Sequence, residues 1–155
     1  MLIERTLEND LVNILKTLPE LSVAQVVGSR TIPEDEYDTK TEEADKASVI
    51  AVVCGFRSQD AFSLSLITIN ASVTILTRVE MDPSSELHDK IVEAIANKLS
   101  YWHKFGNIMT NELSSEKFFA GELRMDGGTG RIVDKTNRLW TETIQFSIRG
   151  SEKFA

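Results

Sequence analysis

The sequence predicts an α+β domain: a single mixed, mainly antiparallel β-sheet with two helices packed on one face, in the order α-β-β-β-α-β-β. Two segments carry apolar residues at every third or fourth position, as one face of a helix requires. Several others are rich in β-branched residues or alternate apolar with polar ones, as strands do. The chain has 155 residues, the usual size of one domain, and no linker or internal repeat divides it. Residues 1–155 are therefore predicted to form one domain.

The N-terminal segment is predicted to be a helix followed by a short strand. Its apolar residues recur at intervals of three and four, at Ile3, Leu7, Leu11, Ile14, Leu15 and Leu18. Pro19 is expected to end the helix, because proline cannot continue the backbone hydrogen bonding. Residues 22–28 are short and Val-rich, which favours a strand.

Residues 33–46, PEDEYDTKTEEADK, are predicted to be a mobile acidic loop. Seven acidic residues stand against two lysines, and only Tyr37 and Ala44 could be buried. Such a segment cannot bury enough apolar area to offset its ordering entropy unless a partner supplies more. It is also longer than most connections between strands. We therefore expect this loop to contact a partner.

Two further strands follow. Residues 48–56, SVIAVVCGF, form a near-continuous apolar run typical of a central strand, and RSQD at 57–60 is predicted to be a turn. In the next stretch, Phe62, Leu64 and Leu66 share one phase, whereas Ile67, Ile69, Ala71, Val73 and Ile75 share the other. The change of phase predicts either a bulge or a strand that passes between two packing environments.

The second helix is expected to begin at Asp82 and Pro83, with Asp as N-cap and Pro at the first helical position. One face carries Leu87, Ile91, Ala94, Ile95, Leu99 and Trp102. Gly106 and Asn107 are predicted to close it.

A C-terminal pair of strands completes the fold. The first strand of the pair is predicted at residues 118–125. DGGTG at 126–130 is predicted to be the hairpin turn, because glycine adopts positive φ without a clash. In the last strand an apolar face, Trp140, Ile144, Phe146 and Ile148, alternates with polar residues.

Charge and cysteine content exclude several classes of protein. The formal net charge of −7 and pI near 4.9 argue against a generic nucleic-acid-binding surface, which needs clustered Lys and Arg. The single cysteine, Cys54, excludes an intramolecular disulfide and is predicted to be apolar filler in its strand. The N-terminus has early charges instead of a secretory apolar run, and no segment is apolar enough to span a bilayer. Cytoplasmic residence and no membrane role are predicted.

No catalytic, cofactor or metal site is predicted. The glycine-rich DGGTGR lacks the Lys-Ser/Thr of a phosphate-binding loop. His88 and His103 are fifteen residues apart without other ligands at zinc spacing, and are expected to be solvated or partner-facing. Carboxylates such as Asp45 and Asp60 are expected in polar loops, where their pKa values would not be driven apart.

Two features favour assembly with other proteins. The strand at 62–79 has a second apolar face that includes Leu64, Leu66 and Leu76, although a core strand buried on both faces would read the same way. The acidic loop is the second feature. The residues predicted to contact partners are Glu34, Asp35, Glu36, Asp38, Glu42, Glu43, Leu64 and Leu66.

The order of these segments is familiar. The helix ending in LVNILKTLPEL, the strands SVIAVVCGF and LSLITINASVTILTRVE, the helix DPSSELHDKIVEAIANKLSYW and the closing WTETIQFSIRG resemble tailed-phage tail terminator proteins of the lambda-like kind. The resemblance covers most of the chain but includes no signature motif, and residues 104–116 have no role in the family pattern.

The resemblance implies a virion structural protein assembled in the bacterial host cytoplasm and located in the viral tail. Such a subunit forms a homohexameric ring on the tail tube, ends tube polymerisation and presents a surface to the head connector. DNA only passes through the lumen, and no cofactor is involved. A negative lining would let a polyanion pass without sticking.

Three alternatives remain open at this point. A neck or head-tail completion protein would share nearly every feature. A small metal-dependent enzyme would need several of Glu34, Asp35, Glu36 and Asp38 to converge on a divalent ion. A binding adaptor would be monomeric at every concentration.

Overall fold

A computed structural model of the chain describes residues 2–29, 46–60 and 63–153. Their helices and one mixed sheet confirm the predicted α+β fold. The helices are α1 (Ile3–Lys16), α2 (Glu86–Lys104) and α3 (Gly106–Leu113). The strands are β1 (Ala24–Gly28), β2 (Ser48–Asp60), β3 (Ser63–Arg78), β4 (Phe118–Gly128), β5 (Ile132–Asp134) and β6 (Leu139–Glu152). Short 3-10 turns lie at Pro19–Leu21 and Val79–Met81.

The strands lie in the order β1-β2-β3-β6-β4, and β5 also pairs with β6. Only the β1–β2 pair is parallel among these strands; the others are antiparallel. Both β4 and β5 lie along the same edge of β6, one after the other. Together they form the outer strand of the sheet on that side.

The apolar stripes of the helices pack against one face of the sheet and form a single core. The sheet supplies alternate residues, among them Ile50, Val52, Ile69, Val73, Ile75, Phe146 and Ile148. The helices supply Ile3, Leu7, Leu11, Leu15, Ile91, Ile95, Leu99, Trp102, Met109 and Leu113. The predicted apolar faces of both long helices and of the last strand are therefore confirmed.

The change of phase in β3 coincides with a register shift. Against β6, the register runs without interruption from Leu66 to Arg78. Against β2, it shifts between Gln59 and Asp60, which pair with Ile67 and Ser63. The irregularity therefore affects only the pairing of β3 with β2. The side chain of Leu66 lies on the sheet face opposite the helices.

The predicted turn at 57–60 is wrong, because β2 continues to Asp60. A register shift between Cys54 and Arg57 interrupts the ladder instead. Arg57 pairs with Ile69 in the sheet, and its Nε lies 3.0 Å from Oε1 of Glu4 in α1. This ion pair helps hold a polar sequence in the strand.

The predicted hairpin at 126–130 is also wrong. The glycine run interrupts the outer strand between β4 and β5, with positive φ at Gly127 and Gly130. The chain reverses at residues 135–138, where Arg138 has a φ of 56° and Asp134 accepts hydrogen bonds from Asn137. Glycine provides positive φ for a break in a strand as readily as for a turn, so composition alone placed the turn too early.

Two predicted helix boundaries also change. Helix α2 starts at Glu86, not Pro83, and the Asp82 carboxylate accepts hydrogen bonds from the backbone N–H groups of Leu87 and His88. Gly106 begins a third helix instead of ending the second, so the prediction of two helices is one short. No helix in the described part of the chain is long and apolar enough to cross a membrane.

Candidate assembly surface

The residues predicted to contact partners fall mostly outside the described ranges. Glu34, Asp35, Glu36, Asp38, Glu42 and Glu43 belong to the undescribed segment, as does nearly all of the predicted loop at 33–46. Leu64 lies in β3, with its side chain outside what is described. Leu66 is half-buried on the sheet face opposite the helices.

This opposite face, which we call the uncovered face, carries no helix among the described elements. Its central strands present small and hydroxyl-bearing side chains, many of them half-buried by their neighbours alone. They include Val49, Ala51, Val53, Thr68, Asn70, Ser72, Thr74, Thr141, Thr143, Gln145 and Ser147. Thr74 and Thr143 form a cross-strand hydrogen bond of 3.1 Å between their hydroxyls. Leu66 and Leu76 lie towards opposite ends of β3.

A shallow depression of about 290 Å3 lies on the uncovered face. It forms around Gly55, which has no side chain to fill the space, and is bordered by Asn70, Ser72 and Gln145. Asp126 also lines it and is ion-paired with Arg124, with a distance of 3.0 Å from Nε to Oδ1. Its lining offers amide and hydroxyl groups that suit hydrogen bonding to a partner.

The first half of the outer strand, residues 118–123, has its outward backbone groups covered. The N–H of Ala120 donates to Ser114 Oγ (2.9 Å), and its carbonyl accepts from Thr110 Oγ1 (2.6 Å). The carbonyl of Phe118 accepts from the Ser115 N–H. His103 Nδ1 lies 2.8 Å from the carbonyl of Leu123. Helix α3, the end of α2 and the residues after α3 thus cap this part of the edge.

The second half of the outer strand, residues 125–134, is open. Its large apolar side chains are exposed: 40% for Met125, 49% for Ile132 and 44% for Val133. Within the described part of the chain, no side chain or loop hydrogen bond reaches the backbone of Met125 or Val133. The capped half and the open half therefore differ in how they meet solvent.

A buried polar network joins the start of α2 to the sheet. His88 is 0% exposed, so the prediction that it is solvated or partner-facing is wrong. Its Nδ1 lies 2.9 Å from Thr77 Oγ1, which in turn lies 2.9 Å from Ser48 Oγ. Its Nε2 has no hydrogen-bond partner among the described residues. Burial away from water lowers the pKa of His88 below its ordinary value. The negative charges of Asp89 and Asp82 act to raise this pKa, and the positive charge of Arg131 acts to lower it.

Arg131 and Trp140 connect the outer strand to the same helix end. Arg131 donates to Ser85 Oγ (2.5 Å), lies 3.5 Å from Asp89 Oδ2 and stacks over the Trp140 ring. The Trp140 indole N–H donates to the Asp82 carbonyl at 2.7 Å. These contacts place β5 and β6 against α2.

A buried carboxylate anchors α1 to the sheet. Glu8 is 1% exposed and accepts hydrogen bonds from the backbone N–H of Cys54 (2.9 Å) and from Ser29 Oγ (3.0 Å). Gly28 leaves the room it needs, because a Cβ there would lie 2.8 Å from Glu8 Oε1. Cys54 is fully buried, which confirms its prediction as core filler.

Neither buried cluster has the arrangement of a catalytic site. His88 has no access to solvent, and Glu8 is engaged by the backbone that it orders. Among the described residues, no group of three or more His, Cys, Asp or Glu side chains could hold a metal ion. Both clusters hold helices on the sheet, α1 through Glu8 and α2 through His88.

Sequence reasoning missed both clusters. Glu8 follows Leu7 on a helix whose apolar stripe was evident, but a carboxylate beside such a stripe usually lies at its solvated margin. The one available signal was the i, i+4 spacing of Glu4 and Glu8, which places both on one side of α1.

No protein-family model matches the chain, and no curated protein matches its sequence.

Proposed function

We propose that the chain is a structural subunit of a phage or prophage tail, of the tail terminator kind. It caps the tail tube as a ring, ends polymerisation of the tube and joins it to the head connector. Its partners are further copies of itself, the tube protein and the connector protein, with DNA passing through the lumen.

One observation carries the proposal: all three described helices lie on one face of the sheet. The opposite face and half of the outer strand remain as a continuous surface of side chains and backbone. An exposed sheet with apolar margins is what a subunit needs to bury against neighbours.

The chemistry of this surface suits contact better than turnover. The central strands of the uncovered face present mainly hydroxyls, amides and small apolar groups, which pack and form hydrogen bonds. The carboxylate that lines the depression on this face, Asp126, is ion-paired with Arg124. The buried carboxylates Glu4, Glu8 and Asp82, and the buried imidazole of His88, each bind the chain's own backbone or side chains.

The negative balance of the chain fits a position around DNA. A net charge of −7 would repel a polyanion and let it slide through a lumen lined by such subunits. We place the acidic residues Glu34, Asp35, Glu36, Asp38, Glu42 and Glu43, with Leu64 and Leu66, at contacts with partner proteins.

The test is the mass of the protein in solution, measured by light scattering over about a hundredfold range of concentration, followed by electron microscopy. A closed ring with a central hole is the expected assembly, because head-to-tail contacts close into cyclic symmetry. If the protein is monomeric, we expect it to bind the ends of tail tubes. A monomer that binds neither tube ends nor a head connector would contradict the proposal.

A further inference from the structure

We propose that His88 is an acid-sensitive switch: protonation of its ring releases the start of α2 and the neighbouring part of the outer strand together. The unit that opens consists of residues 79–89 and 131–140, which we call the corner. The switch belongs to the folded subunit itself and does not depend on the proposed function.

His88 lies where a neutral ring is tolerated and a charged ring is not. It is 0% exposed, and its Nε2 has no hydrogen-bond partner among the described residues. Its Nδ1 lies 2.9 Å from Thr77 Oγ1, with which it shares a hydrogen bond. His88 is also in the first turn of α2, where the helix dipole disfavours positive charge. A second proton, on Nε2, would therefore be buried and without an acceptor.

The charged groups near His88 do not remove this penalty. Asp82 already accepts hydrogen bonds from two backbone N–H groups of α2, and Asp89 lies 3.5 Å from Arg131. Burial has the largest effect on the pKa of the ring and lowers it; Asp89 and Asp82 act to raise it, and Arg131 acts to lower it. From β6, Glu142 interacts with Asp89 and Arg131. The polar groups that β3 and β2 place beside the ring are hydroxyls, which carry no charge.

The outer strand is attached to this same end of α2. Arg131 donates to Ser85 Oγ (2.5 Å) and stacks over the Trp140 ring. The Trp140 indole N–H donates to the Asp82 carbonyl at 2.7 Å. Residues 131–140 would therefore lose these contacts if the start of α2 moved away from the sheet.

The corner also holds two residues in a backbone conformation that they would leave on release. Ser85 has a φ of 59° and Arg138 a φ of 56°, and no other non-glycine residue in the described ranges has a positive φ. A residue with a Cβ disfavours this region, so the surrounding contacts have to hold it there. Ser85 is held by Asp82 and Arg131, and the Arg138 carbonyl accepts from the Val79 N–H at 3.0 Å. Relaxation of both residues favours opening of the corner as one unit.

Acid favours the open form because the two forms bind a proton differently. In the open form water reaches the ring, so it takes up a proton near the ordinary pKa of 6.5. In the closed form burial holds the pKa of His88 below that value. The ratio of open to closed form therefore rises as the pH falls between these two pKa values, by at most about tenfold per pH unit.

The experiment is amide hydrogen exchange of the native chain at several pH values from about 7.5 to about 5. Each rate is divided into the rate of an unstructured peptide at the same pH, which gives a protection factor. We expect protection of the corner amides to fall by about tenfold over this range. Protection of Ile69 and Val73, in the core of β3, should stay the same.

Three variants assign the effect to one ring. His88→Gln keeps a polar side chain beside Thr77 but cannot take up the proton, so the fall in protection should disappear. His103→Gln removes the other histidine of the chain, and Glu142→Gln removes a carboxyl group whose pKa is raised by burial. Both of these control variants should keep the fall in protection.

Unchanged protection in the native chain would overturn the proposal, as would a fall that persists in His88→Gln or disappears in either control. A loss of protection in residues 79–89 with none in residues 131–140 would also overturn it, because the corner would not open as a unit.

A second measurement covers the case in which His88→Gln does not fold. In His103→Gln the ring of His88 is the only imidazole, so NMR measures its pKa in the folded chain directly. The fall in protection should begin near pH 6.5 and end at that measured pKa. A fall outside this interval would overturn the proposal.

Discussion

The two faces of the sheet belong to the same strands but have opposite environments. In β3, Ile69 and Val73 point into the core and are almost completely buried, whereas Asn70 and Thr74 point to the uncovered face. The core side is also where buried polar groups are bound, by Glu8 and by the network around His88. On the uncovered face, the hydroxyls of Thr74 and Thr143 bond to each other across two strands of the sheet.

This difference separates residues that fold the chain from residues available to partners. A side chain on the helix-covered side has its contacts fixed by three helices, so changes there act on stability. A side chain on the uncovered face or the open edge can be changed while the subunit stays folded. The comparison therefore predicts which substitutions unfold the protein and which affect assembly alone.

The largest expected effect comes from charging the core face. Ile69→Lys places an ammonium where the native side chain is 0% exposed, so the folded state should lose more than about 4 kcal/mol or fail to form. Asn70→Lys is the control, since Asn70 is exposed, and should change stability by less than about 0.5 kcal/mol. Urea unfolding followed by circular dichroism measures both. Similar free energies of unfolding for the two variants would contradict the assignment of Ile69 to the core face and of Asn70 to the uncovered face.

A smaller effect is expected from removing the buried carboxylate. Glu8→Ala leaves the Cys54 N–H without the acceptor at 2.9 Å, so the free energy of unfolding should fall by about 1–3 kcal/mol. Thr74→Val removes a hydroxyl pair on the uncovered face and should cost less, because solvent can replace that bond more readily. Urea unfolding of both variants ranks them. The opposite order would show that the two faces do not differ as described.

The smallest expected effect is a pH dependence centred on His88. Its folded pKa lies below the ordinary value of 6.5, so the unfolded chain binds the proton more readily. The contribution of neutral His88 to stability is full above about pH 6.5 and falls as pH drops towards the folded pKa. The slope of the free energy of unfolding against pH from this group is at most that of one bound proton. Asp82, Asp89 and Arg131 are the charged groups that act on it.

His88→Gln should remove this component while leaving other acid-induced changes in place. Thermal unfolding from neutral pH to about pH 5 measures it for both proteins. Parallel loss of stability in the native chain and in the variant would assign the pH dependence to other groups.

Much of the fold could be predicted because its strongest signals are local. The apolar stripes of α1 and α2 and the alternation in β6 are periodic within a single segment, and the core followed from them. The hairpin could not be placed, since the glycines at 126–130 permit a break in a strand as well as a turn. The true turn at 135–138 depends on Asp134, Asn137 and a positive φ at Arg138, a weaker local signal.

The candidate surface was less accessible to sequence reasoning. Leu66 was correctly placed on the second face of its strand by its phase. The outer strand is divided into a capped and an open half by contacts from Thr110, Ser114 and His103. These three residues lie outside β4, so the pattern of residues within β4 does not predict the division. Burial of His88 likewise follows from the packing of α2 on Thr77, which no spacing reveals.

The most direct test of the account is amide hydrogen exchange of the native chain at low and high protein concentration. We predict that amides in residues 125–134 become slower to exchange as the protein assembles, because the proposed contacts between subunits bury the surface to which this open half belongs. Amides in the core of β3, such as Ile69 and Val73, should exchange slowly at both concentrations. Assembly without any added protection in residues 125–134 would contradict the account.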